Sequence, residues 1–446
     1  MIDKNTFCSS PWLHFRINYA GDFVVCRWGV NPGVDRQSTH NIRDTRISDY
    51  FNSSILSEMR NQLLTGEKPA ACQNCYYQDK FNKISGRKKQ LFRSKLDNSD
   101  TFDDNFTSSP HYDRFLFSQN NNGLANCLPF DFQIDLENTC NGACIMCSPK
   151  ASTKLATDYI KLNKIEPEIF AAPRKFDCWA SDPVLVKKFV DELVKMPDID
   201  YIHLLGGETL YVESFYTICE ALIDAGISKN IIIGTTTNGT VYSPRLEKII
   251  TQFRGFHLGL SIESINIIND YIRYPARINP VLEIFDKFFE LRNKAPNLHL
   301  TLRITPNIFS IFYLDEVIQY MVDKRITAES CNILKNPSIL RMELLPADLK
   351  EVAVNKLKNV ISKNNLHHNE PVIDTRNPNL INEVISNVVY QYIDFLTNMA
   401  EPEDVENERH NLVKFLNAFE SLRRNSILDY APEFTTFLEQ YGYVKK

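Results

Sequence analysis

Cys140, Cys144 and Cys147 lie in the run Asp135-Leu-Glu-Asn-Thr-Cys-Asn-Gly-Ala-Cys-Ile-Met-Cys-Ser-Pro. Their spacing is C-x3-C-x2-C, so one loop can turn all three sulfurs toward a common centre. Soft thiolates at such spacing suit an iron–sulfur cluster or zinc rather than a hard cation. A cubane cluster has four irons, and three cysteines leave one of them open, much as a catalytic zinc keeps an open position. An open, redox-active iron implies a ligand that reacts there. The alternative is a zinc knuckle. That would normally show four ligands in pairs, and no fourth Cys or His follows nearby.

Other clusters fall after apolar runs that read as strands. Gly206-Gly207-Glu208 offers two positions where a ligand can approach the backbone and an acceptor for a cationic amine. Thr235-Thr236-Thr237-Asn238-Gly239 and Ser261-Ile262-Glu263 place hydroxyls, an amide and a carboxylate at successive strand ends. Such groups suit a polyhydroxyl ligand such as ribose, and equally suit ordinary turns and helix caps. Near the N-terminus, Cys8, Cys26, Cys72 and Cys75 supply four thiols in two groups, a complete set for zinc or a [4Fe–4S] cluster. His203 and His257 fall in strands and read as lining or core residues. Cys219 sits on an apolar helix face, Cys331 in a last strand, and Cys127 and Cys178 in loops. The stripe Phe415, Phe419, Leu422, followed by Arg423-Arg424, reads as packing.

The elements that must position these groups change character along the chain. Trp12–Tyr19 and Phe23–Arg27 flank Gly21-Asp22 as a hairpin. Ile47, Phe51, Ile55, Met59 and Leu63 recur every four residues and predict a helix over Ile47–Leu64. Residues 83–122 are polar and predict a linker, most loop-like at Gln119–Gly123.

From about residue 130 strands and helices alternate. Strands are expected at Phe130–Glu137, Tyr201–Leu205, Ile231–Thr236, Phe256–Ile262, Leu298–Thr305 and Ser330–Lys335. Helices are expected at Ser181–Met196, Val212–Ala225, Ser243–Phe253, Pro280–Asn293 and Leu314–Lys324. Six such repeats predict an α/β fold with a parallel sheet, either a partial barrel or doubly wound. In these folds functional loops follow the C-terminal strand ends. The cysteine loop follows the first strand, on that face. After Pro346 the pattern is helical, with Pro and Asn breaks near 365–380.

The chain has 446 residues, enough for two or three domains. Its net charge of −5 gives no basic field for nucleic acid. No apolar run reaches about 18 residues and no signal segment opens the sequence, so no membrane role and a cytoplasmic location are expected. Eleven cysteines is an odd and high count. In a reducing compartment it favours metal or cluster ligation over disulfides.

Taken together, C-x3-C-x2-C after the first strand, Gly-Gly-Glu after the second, and polar residues after the third and fourth resemble the radical S-adenosylmethionine (radical SAM) superfamily. The resemblance covers roughly residues 130–345. It implies a partial (β/α)6 TIM-like barrel, with Cys140, Cys144 and Cys147 holding a [4Fe–4S] cluster whose open iron binds SAM. It implies that Gly206, Gly207 and Glu208 hold the methionine amine, and that Ser261, Glu263 and Asn238 lie near the ribose. Arg273, in Asp-Tyr-Ile-Arg-Tyr, would fork onto the SAM carboxylate. Met146 holds a place often aromatic in the family, near adenine.

The N-terminal cysteines, with Arg60, Gly66-Glu67-Lys68-Pro69 and Ser85-Gly86-Arg87, resemble the auxiliary-cluster modules called SPASM/twitch, here placed before the barrel. The expected organisation is an N-terminal auxiliary-cluster segment (1–100), a linker (101–129), the barrel (130–345) and a C-terminal helical region (346–446). The activity implied is that of an oxidoreductase or modifying enzyme. It would cleave SAM to a 5′-deoxyadenosyl radical and abstract hydrogen from a peptide or protein. An external one-electron reductant of the flavodoxin or ferredoxin kind would supply the electron. Oxidation or rearrangement of a sugar or small metabolite is the alternative within enzymes. A zinc-stabilised, non-catalytic binding protein is the alternative outside them.

Overall fold

The structure is a computed structural model that describes residues 2–26, 40–80, 85–96, 106–173, 177–196, 198–328, 331–368 and 378–445. Arg27 of the expected hairpin, Ser330 of the expected last strand, and parts of the 83–122 and 365–380 stretches lie outside the described residues. An eight-stranded sheet runs in the order β2-β1-β3-β4-β5-β6-β7-β8. Its strands are β1 (His14–Ile17), β2 (Phe23–Val24), β3 (Asp131–Asp135), β4 (Tyr201–Leu205), β5 (Ile232–Thr237), β6 (Gly255–Ser261), β7 (Leu298–Arg303) and β8 (Thr327–Ala328). All pairings are parallel except the β1–β2 hairpin. β3 to β8, with their intervening helices, are the six repeats expected of an α/β partial barrel.

Helix boundaries follow local chemistry. Asp182 caps Pro183–Leu193 by accepting from the Val184 N–H, and Ser243 caps Pro244–Gln252 by accepting from Leu246. Leu314–Lys324 is a helix as expected. Gly21, at φ 88°, turns the hairpin. The strands alternate between two faces. One set, including Phe132, Ile134, Ile202, Leu204, Ile233, Phe256, Leu258 and Leu302, packs into the main core. The other set is polar and faces the barrel interior.

Several elements depart from expectation. β1 also pairs with β3, His14 opposite Asp131 and Ile17 opposite Ile134. The N-terminal segment therefore contributes strands to the barrel's own sheet. Ile47–Leu64 is two helices, Ile47–Phe51 and Ser54–Thr65, because Asn52 leaves the helix to bond the Ala125 N–H and carbonyl at 2.8 and 3.1 Å. Ile55 is consequently exposed and Leu56 buried.

The stretch read as a linker holds helices Gly86–Arg93 and Tyr112–Asn120. Their buried faces include the polar Gln90 and Ser118. Ser118 accepts from the Trp12 indole at 2.7 Å, so polar composition concealed a packed element. A helix at Thr153–Leu162, capped by Ser152, was not anticipated.

The last strand is Thr327–Ala328 rather than Ser330–Lys335. Beyond it side chains replace the ladder: Asn332 Nδ2 donates to the Ile304 carbonyl at 3.0 Å, and the Tyr392 hydroxyl donates to the Asn332 carbonyl at 3.0 Å. Cys331 therefore lies outside the sheet. The C-terminal region is helical, at Ala347–Asn364, Ile381–Asn398, Val405–Arg423 and Thr435–Gln440.

Candidate functional site

The cysteine loop leaves β3 and is held from both sides by backbone hydrogen bonds. The Ala143 and Ile145 N–H groups donate to the Tyr274 and Ile272 carbonyls at 2.7 and 2.9 Å. The Ser152 hydroxyl donates to the Gly142 carbonyl at 2.6 Å, and the Gly142 N–H donates to Cys140 Sγ at 3.3 Å. A β-carbon placed on Gly142 would lie 3.6 Å from both the Cys140 and Cys144 sulfurs, so these two converge across the glycine. Burial pushes the Cys140 thiol up to about 11 and Cys147 to about 12, and raises Cys144 as well. Ligation by these sulfurs would therefore release protons.

The Gly206-Gly207-Glu208 segment is zipped to the same loop. The Gly207 and Glu208 N–H groups donate to the Glu137 and Thr139 carbonyls at 2.7 and 3.0 Å. A β-carbon on Gly207 would lie 2.5 Å from the Thr139 oxygen and 2.7 Å from that of Asn138. Gly207 is thus required by the cysteine loop's backbone itself. The Glu208 carboxylate is 1% exposed and turned inward. It accepts from Leu210 N–H at 3.2 Å, the Thr237 hydroxyl at 2.8 Å and Asn238 N–H at 2.6 Å. Its side chain ties β4 to β5 rather than standing free for an amine. Asn238 in turn donates to Asn141 Oδ1 at 2.8 Å and accepts from the Thr240 N–H at 3.1 Å. The fifth strand's end is thereby fastened to the residue next to Cys140.

Glu263 and Arg273 are paired with each other. Arg273 Nη2 donates to Glu263 Oε1 at 3.0 Å, and its Nε donates to Oε2. Burial disfavours the Arg273 charge, but Glu263 and the nearby Cys144 outweigh it and hold the guanidinium above its usual range. The expected separate contacts, one with ribose and one with a carboxylate, are here a single neutralised pair beside Cys144. Ser261 ends β6 opposite Arg303, on the polar face. Met146 lies 3.7 Å from Asn307 Nδ2.

Cys8, Cys26, Cys72 and Cys75 all line one small cavity, with Ser10, Met59, Leu63 and Arg87. Burial pushes Cys8 up to about 12 and raises Cys72 and Cys75. Arg87 is anchored by Asp79 at 2.8 Å and the Lys4 and Phe7 carbonyls at 2.9 and 3.1 Å. Among the described residues no three His, Cys, Asp or Glu side chains gather tightly around one metal ion.

The radical SAM superfamily profile matches residues 136–305, and that of an iron–sulfur cluster-binding domain, SPASM, matches residues 8–76. This chain is a SPASM-type member of the radical SAM superfamily. No curated protein matches it. Among solved structures it resembles Streptococcus suis SuiB bound to precursor peptide SuiA, at 13% identity, 58% of this chain, 51% of that one and a TM-score of 0.33. It also resembles native anSMEcpe with bound AdoMet, at 16% identity, 53% and 60% coverage and a TM-score of 0.35. SuiB bound to S-adenosylmethionine is matched at 12% identity over 82% of this chain and 71% of that one, with a TM-score of 0.33. The chain spans 51% to 60% of the length of the first structures it matches.

The two domains of this radical SAM protein imply [4Fe–4S] clusters and SAM, and the donor sets fit. Four thiols lining one small cavity are a complete ligand set for a [4Fe–4S] cluster. Three thiols on a braced loop beside the Gly-Gly-Glu turn suit the open-iron site.

Other expectations sort readily. His203 and His257 line the barrel interior with Tyr201, His299, Thr301 and Arg303. His299 and Arg303 were missed, although their alternation along β7 signals that face. Cys219 is fully buried core. Cys178 contacts Asn138 Oδ1 at 3.4 Å, and Cys127 contacts the Trp12 carbonyl at 3.8 Å. Phe415 and Phe419 pack on Phe170 at ring separations of 5.3 Å. Among the described helices none is long and apolar enough to cross a membrane.

Proposed function

We propose that this chain is an enzyme that uses Cys140, Cys144 and Cys147 to hold a [4Fe–4S] cluster and acts on a peptide or protein substrate by hydrogen abstraction. The observation that carries the reading is the zipper between the cysteine loop and the Gly206-Gly207-Glu208 turn at the C-terminal strand ends. When bound, the cluster and SAM supply reductive cleavage to a 5′-deoxyadenosyl radical. The chain's own residues do the rest. The turn's backbone offers acceptors beside the loop. Asn238 and Glu208 keep the two strand ends in register, and the Arg273–Glu263 pair adds no net charge next to Cys144. The polar interior presents Ser261 and Arg303 toward a substrate.

Cys8, Cys26, Cys72 and Cys75 hold the auxiliary cluster. The SPASM-type segment favours a peptide or protein over a sugar or small metabolite. A flavodoxin- or ferredoxin-like donor supplies the electron, in the cytoplasm.

Anaerobic reconstitution tests this. We expect about eight irons and eight sulfides per chain, and 5′-deoxyadenosine on reduction with SAM. Cys140→Ala, Cys144→Ala and Cys147→Ala together should abolish SAM cleavage and leave the N-terminal cluster. Stoichiometric zinc without SAM cleavage would instead mean a binding protein. A short precursor peptide encoded beside this chain would be the first substrate to try.

A further inference from the structure

Arg423 lies in the C-terminal helix Val405–Arg423, outside both matched regions. Its Nη2 donates to the Ala143 carbonyl at 2.6 Å and to Asp158 Oδ2 at 3.0 Å. The side chain is 3% exposed, and its guanidinium lies over the rings of Phe419 and Tyr274 at 4.4 and 4.7 Å. Its Nε is buried, with no hydrogen-bond partner among the described residues. Ala143 stands next to Cys144, and Tyr274 is the residue whose carbonyl receives the Ala143 N–H. One turn earlier on the helix, Glu420 accepts from the Tyr271 hydroxyl at 3.0 Å. A single helix face therefore grips both the cysteine loop and the segment that braces it.

We infer that Arg423 is a positioning residue for the cysteine loop, and that its buried charge raises the reduction potential of the cluster the loop carries. The inference rests on the function proposed above. A reduced cluster is more negative than an oxidised one, so a cation held in a dry site beside it favours reduction. Asp158 opposes that effect. Removing Arg423 leaves Asp158 uncompensated, whereas removing the Asp158 charge leaves Arg423 unopposed. The two substitutions must therefore shift the potential in opposite directions, which mere loosening of the loop would not do.

The test is an EPR-monitored redox titration of the reconstituted holoenzyme. For Arg423→Gln the reduced-to-oxidised ratio of the central cluster at fixed potential should fall about tenfold, or about 59 mV for one electron. For Asp158→Asn it should rise, Arg423→Lys should stay near wild type, and the N-terminal cluster should not move. Shifts of the same sign in Arg423→Gln and Asp158→Asn, or no shift in either, overturn the electrostatic role. If Arg423→Gln does not fold, Asp158→Asn decides alone: a rise supports the electrostatic role, and a fall or no shift overturns it.

Hydrogen exchange on metal-free protein is the second arm. The Ala143 and Ile145 amides should exchange faster in Arg423→Gln, and unchanged exchange overturns the positioning role. A wild-type chain that binds no central cluster sinks the function proposed above, while the exchange arm still decides whether Arg423 holds the loop.

Discussion

A methyl group at position 207 would sit 2.5 Å from the Thr139 carbonyl oxygen, in the chain that leads into Cys140. Backbone cannot yield as a flexible side chain can, so Gly207→Ala must push the turn and the cysteine loop apart. We expect a loss of roughly 1–3 kcal/mol and a large drop in central-cluster iron, measured after reconstitution. Retention of wild-type iron content would contradict the zipper's role.

Glu208 gives a second prediction at this scale. Burial raises its carboxyl to about 7, against the bonds from Asn238, Thr237 and Leu210 that favour the ionised form. The folded value lies above the unfolded one, near 4.5. Its contribution to stability is therefore complete below pH about 4.5 and is lost as pH rises to about 7. Relative to Glu208→Gln, the wild-type metal-free protein should lose roughly 1–3 kcal/mol across that window and nothing further above it. Thermal melts of both proteins from pH 4.5 to 8 check the sign, and parallel curves would refute it.

At the scale of elements, Arg60 joins segments that sequence alone leaves unrelated. It is fully buried on the helix Ser54–Thr65. It donates to the carbonyls of Pro11 at 3.0 and 2.8 Å, Phe51 at 2.7 Å and Gly123 at 3.1 Å. Arg60→Ala should orphan these three carbonyls and cost roughly 3–9 kcal/mol, at about 1–3 kcal/mol each. Because Met59 and Leu63 of the same helix line the four-cysteine cavity, auxiliary-cluster uptake should fall with stability. A denaturation curve and an iron count measure both.

What could be read from the sequence follows from how locally each element is specified. β3 to β7 were legible because β-branched and apolar residues alternate with polar ones, and their helices because caps such as Asp182 and Ser243 sit next to them. The helix Tyr112–Asn120 was not, because its buried contacts include a serine whose partner is Trp12. The cysteine loop was legible from spacing alone. Its supports were not, since Asn141–Asn238 and Ala143–Arg423 join distant parts of the chain. Glu208 and Arg273 were found, but as ties within the chain. A polar residue after a strand looks the same in sequence whether it serves a ligand or a neighbouring strand.

At the scale of the whole molecule, the N-terminal segment and the barrel share a sheet. Arg16 bonds Asp135 at 3.0 Å, His14 lies 3.2 Å from Asp131, and Arg93 lies 3.6 Å from Asp131. Deleting residues 1–129 would strip β3 of a neighbour and leave its N–H and C=O groups unpaired beside two buried carboxylates. We expect the remainder to aggregate, as read by size-exclusion chromatography. A monodisperse, SAM-binding remainder would show that the barrel stands alone.

The pairing of β1 with β3 also sets a clock on biosynthesis. All four thiols of the N-terminal cavity leave the ribosome well before Asp131–Asp135, the strand that β1 must pair with. Until that later strand emerges, β1 is paired with β2 alone, and a two-stranded ladder is at best marginally stable in water. A nascent chain stalled near residue 120 should thus hold its early cysteines open to alkylating reagents. One stalled far enough on to free β3 should protect them.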